Sequence, residues 1–120
     1  MWLIDDNDVD RFITKKMLEK CNSELKIKEF VNGFEAIKKI EKENPDVIIL
    51  DINMPVMDGW DFLEGLELIS YNREKFIYML SSSNNPKDVD RAKTNKYVLD
   101  YLIKPMNKEM VDRICMEKKK

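Results

Sequence analysis

Val47-Ile48-Ile49-Leu50-Asp51 is a short aliphatic run, rich in β-branched residues, that stops at a carboxylate. An unbroken apolar run of this length reads as a strand covered on both faces, as in the middle of a parallel sheet rather than at an edge facing water. Other runs end in the same manner: Met1–Ile4 at Asp5 and Asp6, Phe76–Leu80 at Ser81, and Leu102–Ile103 at Lys104. Ligands of open parallel sheets bind in the crevice beyond the carboxyl ends of the strands. Such ends would bring carboxylates, a hydroxyl and an ammonium to one place.

Between the runs the periodicity is helical. Val9, Phe12, Ile13 and Met17 recur at helical spacing, with Asn7 or Asp8 available as N-cap. Phe34, Ile37 and Ile40 make a second stripe, starting at Asn32 or Gly33 and ending at Asn44-Pro45. Phe62, Leu63, Leu66 and Ile69 make a third, with Trp60 near its start. Leu25 and Ile27 alternate with Lys26 and Lys28, which predicts a half-exposed outer strand. A helix over about 86–93, a strand near 100–103 and a last helix from about Asn107 complete the alternation. Parallel strands need crossover helices, so the expected class is α/β: a doubly wound five-stranded parallel sheet between two helical layers.

Composition bounds the function. The 120 residues fit one domain, 1–120, with 43% apolar residues for a core and 37% charged residues for its surface. A net charge of -2 argues against direct, general nucleic-acid binding. The basic end Lys118–Lys120 reads as a solvated terminus. Cys21 and Cys115 are too few and too far apart for a disulfide scaffold or a zinc motif, and the chain has no His. No apolar stretch approaches the ~18 residues of a membrane span, so no membrane role and a cytoplasmic location are expected.

Each polar strand end has an ordinary explanation when taken alone. An Asp after a strand can be a turn former, and Ser81-Ser82-Ser83-Asn84-Asn85-Pro86 has loop composition. Their joint placement is what points to chemistry. Two like charges near ~4 Å cost roughly 4 kcal/mol at an effective dielectric of about 20, so Asp5, Asp6 and Asp51 together require cations. Lys104 supplies one charge, and a hard divalent ion such as Mg2+ would supply the rest. Two other readings of the acids fail. An EF-hand loop starting at Asp6 would place Arg11 where Gly is needed and Met17 where Glu is needed. A phosphatase built on Asp51-Ile52-Asn53 would lack the acid–base carboxylate at Asn53.

In order and spacing, Asp5-Asp6, Asp51, Ser81 and Lys104-Pro105 resemble response-regulator receiver domains, and Met54-Pro55-Val56-Met57-Asp58-Gly59 resembles that family's loop after its phosphoacceptor. The resemblance spans nearly the whole chain. It implies a flavodoxin-like (βα)5 three-layer sandwich of strand order 2-1-3-4-5. It also implies that Asp51 accepts a phosphoryl group from a histidine kinase, a phosphotransfer protein or a small donor such as acetyl phosphate. Asp6, Asp51 and the Asn53 backbone carbonyl would bind Mg2+, with Asp5 acting through water. Lys104 would pair with the phosphate, Ser81 would donate a hydrogen bond to it, and Tyr101 would be the aromatic switch. Phosphoryl transfer relies on positioning and charge neutralisation, so the missing His is no obstacle.

The same resemblance implies a signalling domain that catalyses only its own phosphorylation and dephosphorylation in a two-component phosphorelay. If this is the full chain, output runs through protein contacts. A downstream protein would dock on the fourth helix, fifth strand and fifth helix, about 86–116, with Tyr97, Tyr101 and Met106 as contacts, and a homodimer is a further expected partner state. Met110 and Ile114 fit the inner stripe of the last helix equally well. Ser81 stands where many members carry Thr, and Lys96-Tyr97-Val98-Leu99-Asp100 lacks the glycine often found before the fifth strand. The alternative is a receiver-like module that binds partners without phosphorylation, against which the filled chemical positions weigh.

Overall fold

The computed structural model describes residues 1–119, with side chains as far as Met116; the basic end Lys118–Lys120 lies outside the described side chains. Its strands are β1 (Trp2–Ile4), β2 (Lys28–Phe30), β3 (Ile48–Asp51), β4 (Ile77–Ser81) and β5 (Val98–Ile103). Its helices are α1 (Asp8–Cys21), α2 (Gly33–Ile37), α3 (Ile40–Glu43), α4 (Gly59–Leu68), α5 (Pro86–Lys93) and α6 (Lys108–Lys119). Every pairing is parallel and the order is β2-β1-β3-β4-β5, the expected doubly wound sheet. The winding reverses between β1 and β3, and there the crevice opens. Ile4 is paired with Leu50, so the residues that follow them, Asp5 and Asp51, leave the sheet side by side.

Burial on both faces explains the unbroken apolar runs. Ile48 and Leu50 join Phe62, Leu63, Leu66, Ile40 and Ala92 under α3, α4 and α5, whereas Ile49 joins Leu18, Val111 and Ile114 under α1 and α6. Alternate residues of one strand thus serve opposite cores, each buried side chain being worth roughly 1.5–3 kcal/mol. Local chemistry sets the element ends. Asn7 caps α1 by accepting from the Asp10 N–H, and Asp58 and Asp61 form a capping box on α4. Asn44 closes α3 in the left-handed region, at φ 45, just before Pro45. The turn into β5 is closed without glycine by Asn95, whose Oδ1 accepts from the Tyr97 N–H at 2.9 Å.

Several sequence expectations need correction. On α1 the inward residues are Thr14 and Leu18, while Val9, Phe12 and Ile13 are 66%, 60% and 46% exposed. Arg11 fixes that rotation: its Nη1 donates to the Asp5 carbonyl at 2.7 Å and its Nε to Glu29 at 3.2 Å, so the polar side of the helix is drawn toward β1 and β2. The second helix is broken into α2 and α3; Ala36 and Ile40 take the inward positions and Phe34 lies outside under the Lys38 ammonium. Leu25 and Ile27 pack against the α1/α6 core ahead of the outer strand, which begins only at Lys28, paired with Trp2. Tilted contact between the Trp2 and Phe30 rings, centroids 4.5 Å apart, supports that register. Tyr97 and Met106 are buried, which removes them as partner contacts; Ile114 is buried and Met110 half-buried, as the inner stripe requires.

Candidate functional site at the carboxyl edge of the sheet

Asp51 ends β3 almost fully buried, and Asp5, immediately beyond β1, is fully buried. Neighbours on a strand point to opposite faces, so Asp5 and Asp6 can share a pocket only because the chain turns between them. The Asn7 N–H donates to Asp5 Oδ1 at 2.9 Å and makes that turn. One carboxylate oxygen from each of Asp5, Asp6 and Asp51 then lies within 4.8 Å of the others. The Lys104 N–H donates to the Ser81 carbonyl at 2.8 Å, which extends the β4–β5 ladder and seats both residues at the crevice. Lys104 Nζ stands 3.5 Å from Asp5 Oδ2, 3.5 Å from Asp51 Oδ1 and 2.9 Å from Asp10 Oδ2.

The electrostatics follow from this crowding. Burial, then the neighbouring Asp5 charge, pushes the Asp51 carboxyl up to about 7, while Lys104 pulls it the other way. Burial opposes the charged Lys104 ammonium, yet the Asp10 hydrogen bond and the charges of Asp5, Asp51 and Asp10 outweigh it and raise its pKa. Asp5 Oδ2 is buried with no hydrogen-bond partner among the described residues. Its one nearby cation among the described residues, Lys104 at 3.5 Å, is shared with Asp51 and Asp10, and a buried anionic oxygen so thinly compensated is relieved by a further cation.

The loop after Asp51 is held by close approach. A Cβ on Gly59 would lie 2.8 Å from the Ile52 Cα and 3.0 Å from the Asp51 carbonyl, so only glycine lets α4 start against the exit of β3. Val56, 93% exposed, sits in the same loop at φ 70, where a β-branched residue is strained.

Residues 1–114 match the family model of the response regulator receiver domain. The chain belongs to that family. Among its relatives, the chemotaxis protein CheY of Listeria monocytogenes is 29% identical over 109 residues, covering 91% of this chain and 88% of that protein. The sensor histidine kinase CheAY of Helicobacter pylori is 29% identical over 114 residues, which are 92% of this chain and only 14% of that protein. Chemotaxis protein CheY4 of Vibrio cholerae superposes with a TM-score of 0.78 at 27% identity, over 97% of this chain and 94% of that one. The chain is thus a receiver domain of two-component signalling, a family whose function is to accept a phosphoryl group. Receiver domains bind Mg2+ through acidic residues, and the Asp5, Asp6 and Asp51 oxygens, with Asp5 Oδ2 accepting no hydrogen bond among the described residues, fit a hard cation of that kind. No helix among the described residues is long and apolar enough to cross a membrane.

Around this receiver site the sequence-expected residues separate into two groups. Asp5, Asp6, Asp51 and Lys104 meet directly. Ser81 is fully buried one strand away, its Oγ accepting from the Ser83 N–H at 3.0 Å, and the Tyr101 hydroxyl donates to the Ser83 carbonyl at 2.8 Å. Asn53 is exposed, its N–H 3.4 Å from Asp51 Oδ1. Sequence reasoning missed three participants. Asp10 and Arg11 stand four and three residues before Thr14, a helical spacing that hints at the same side of α1, and Ser83 gave no signal beyond its serine-rich loop.

Proposed function

We propose that Asp51 is the phosphoacceptor of this receiver domain. The observation that carries the reading is a buried carboxylate at the end of the central strand, crowded by Asp5 and Asp6 and within 3.5 Å of a lysine ammonium. Asp6, Asp51 and the Asn53 carbonyl would hold Mg2+, with Asp5 reaching it through water. When bound, the ion keeps the carboxylates ionised near neutral pH and neutralises phosphoryl oxygens. An Asp51 oxygen attacks the phosphorus of a phosphohistidine, the new P–O bond forms as the P–N bond breaks, and the imidazole keeps the electron pair. Lys104 then balances the added charge, and hydrolysis at the same site returns the free carboxylate.

Ser83 supports a route outward. It donates to Ser81 and accepts from Tyr101, so a Ser81 hydroxyl turned toward the phosphate gives up the contact that shares a residue with Tyr101. Two charge-assisted bonds of roughly 1.5–3 kcal/mol each are of the size that shifts a two-state switch. Output would use the α5–β5–α6 face, where Leu99, Ile103 and Met116 are exposed and Tyr101 is half-buried. The donor is a histidine kinase or phosphotransfer protein in the cytoplasm. Acetyl phosphate with Mg2+ should add one phosphoryl mass to the intact protein and none to Asp51→Asn. No mass gain from acetyl phosphate or from a cognate kinase would favour a phosphorylation-independent binding module instead.

A further inference from the structure

Three carboxylates share the Lys104 ammonium, and they do not share it equally. Asp5 and Asp51 lie 3.5 Å away, while Asp10 Oδ2 accepts a hydrogen bond at 2.9 Å, within the range of a charge-assisted bond. Asp10 belongs to α1 and stands outside the Asp5, Asp6 and Asp51 group. Beside this ion pair Lys104 lines, together with Asp10, Ile13, Thr14, Leu80, Pro105 and Met106, a cleft of about 260 Å³. Asp8, two residues earlier on the same helix, is engaged instead by Arg11 at 2.7 Å.

We propose that Asp10 is a competing counter-ion that holds Lys104 off Asp51 until an anionic group on Asp51 draws it away, making Asp10 a positioning residue that sets the threshold for switching. The inference rests on the phosphoacceptor reading above. Removing Asp10 leaves the ammonium to Asp5 and Asp51 and places it beforehand where the incoming phosphoryl oxygens need it.

Beryllofluoride with Mg2+, titrated against tryptophan fluorescence, is the test. Asp10→Asn should tighten the apparent Kd about threefold to tenfold, the range of a partly exposed ion pair. Asp8→Asn deletes the same charge nearby without touching Lys104 and should change it less than twofold. In a Lys104→Met background the Asp10→Asn gain should disappear. In the unaltered protein, the Lys104 ammonium NMR signal should move on beryllofluoride addition, and Asp10→Asn should move it part of the way beforehand. Unchanged or weaker binding by Asp10→Asn, an equal gain in Asp8→Asn, or a gain that survives loss of Lys104 would overturn the proposal. If the unaltered protein binds beryllofluoride, Asp51→Asn does not, and Asp10→Asn is neutral, this inference alone falls. No binding by the unaltered protein, together with no phosphorylation, removes the phosphoacceptor reading and this inference with it.

Discussion

Where the chain enters β4 and β5, the hydroxyls of Tyr71 and Tyr97 are matched. The Tyr97 hydroxyl lies 3.1 Å from the Tyr71 carbonyl and 3.2 Å from that of Leu66, and the Tyr71 hydroxyl donates to Asn44 at 2.7 Å. At the opposite end of the sheet, Asp5 Oδ2 has no hydrogen-bond partner among the described residues and Asp51 is pushed up to about 7. One end spends its polar groups on holding helices to the sheet; the other keeps unmet charge for a ligand. Burial is similar for Tyr71 and Tyr97 and for Asp5 and Asp51, so what separates the two pairs is whether their polar atoms have complements.

Substitutions at the two ends should therefore act with opposite sign. The largest effect belongs to the matched end: Tyr97→Ala should lower unfolding free energy in urea by about 3–5 kcal/mol, through lost packing and unpaired carbonyls. At the unmatched end Asp51→Asn should raise it. Folded Asp51 titrates near 7 against an ordinary value of 3.8, so the folded state binds the extra proton between these values. Stability of the metal-free protein should consequently fall as pH rises through that window. Asp51→Asn removes this slope, and its gain should be roughly 1–3 kcal/mol at about pH 8, one pKa unit being worth about 1.4 kcal/mol and Asp5 sharing the repulsion. Near pH 4 the gain should be gone. Mg2+ should likewise raise the melting temperature more at high pH than at low pH, and a uniform rise would count against metal binding by these acids. The smallest effect lies in the loop between: Val56→Asn relieves the positive φ and should stabilise by about 0.5–1 kcal/mol with no pH dependence.

How much could be read beforehand differs by element. The buried strands were legible because a run such as Ile48-Ile49-Leu50 has to be apolar at every position to serve two cores. Asp5, Asp51 and Lys104 were legible because each follows such a run directly. The face of α1 was not, since that helix carries apolar residues on both sides and periodicity cannot rank Phe12 against Leu18. Tyr97 and Met106 were misplaced for a related reason: an aromatic or thioether side chain near a strand end suits a surface or a core, and only the packing of α4 and α6 decides.

By itself the sequence determined the alternation of strands and helices, the parallel class of the sheet and which chemical groups stand at strand ends, because these depend on patterns local along the chain. Its likeness to receiver domains added the strand order. Tertiary structure alone decided the distances among Asp5, Asp51, Asp10 and Lys104, the rotation of α1 through Arg11, and the link from Ser81 through Ser83 to Tyr101. Those are contacts between residues far apart in sequence, set by how helices seat on the sheet, and no period in the chain encodes them.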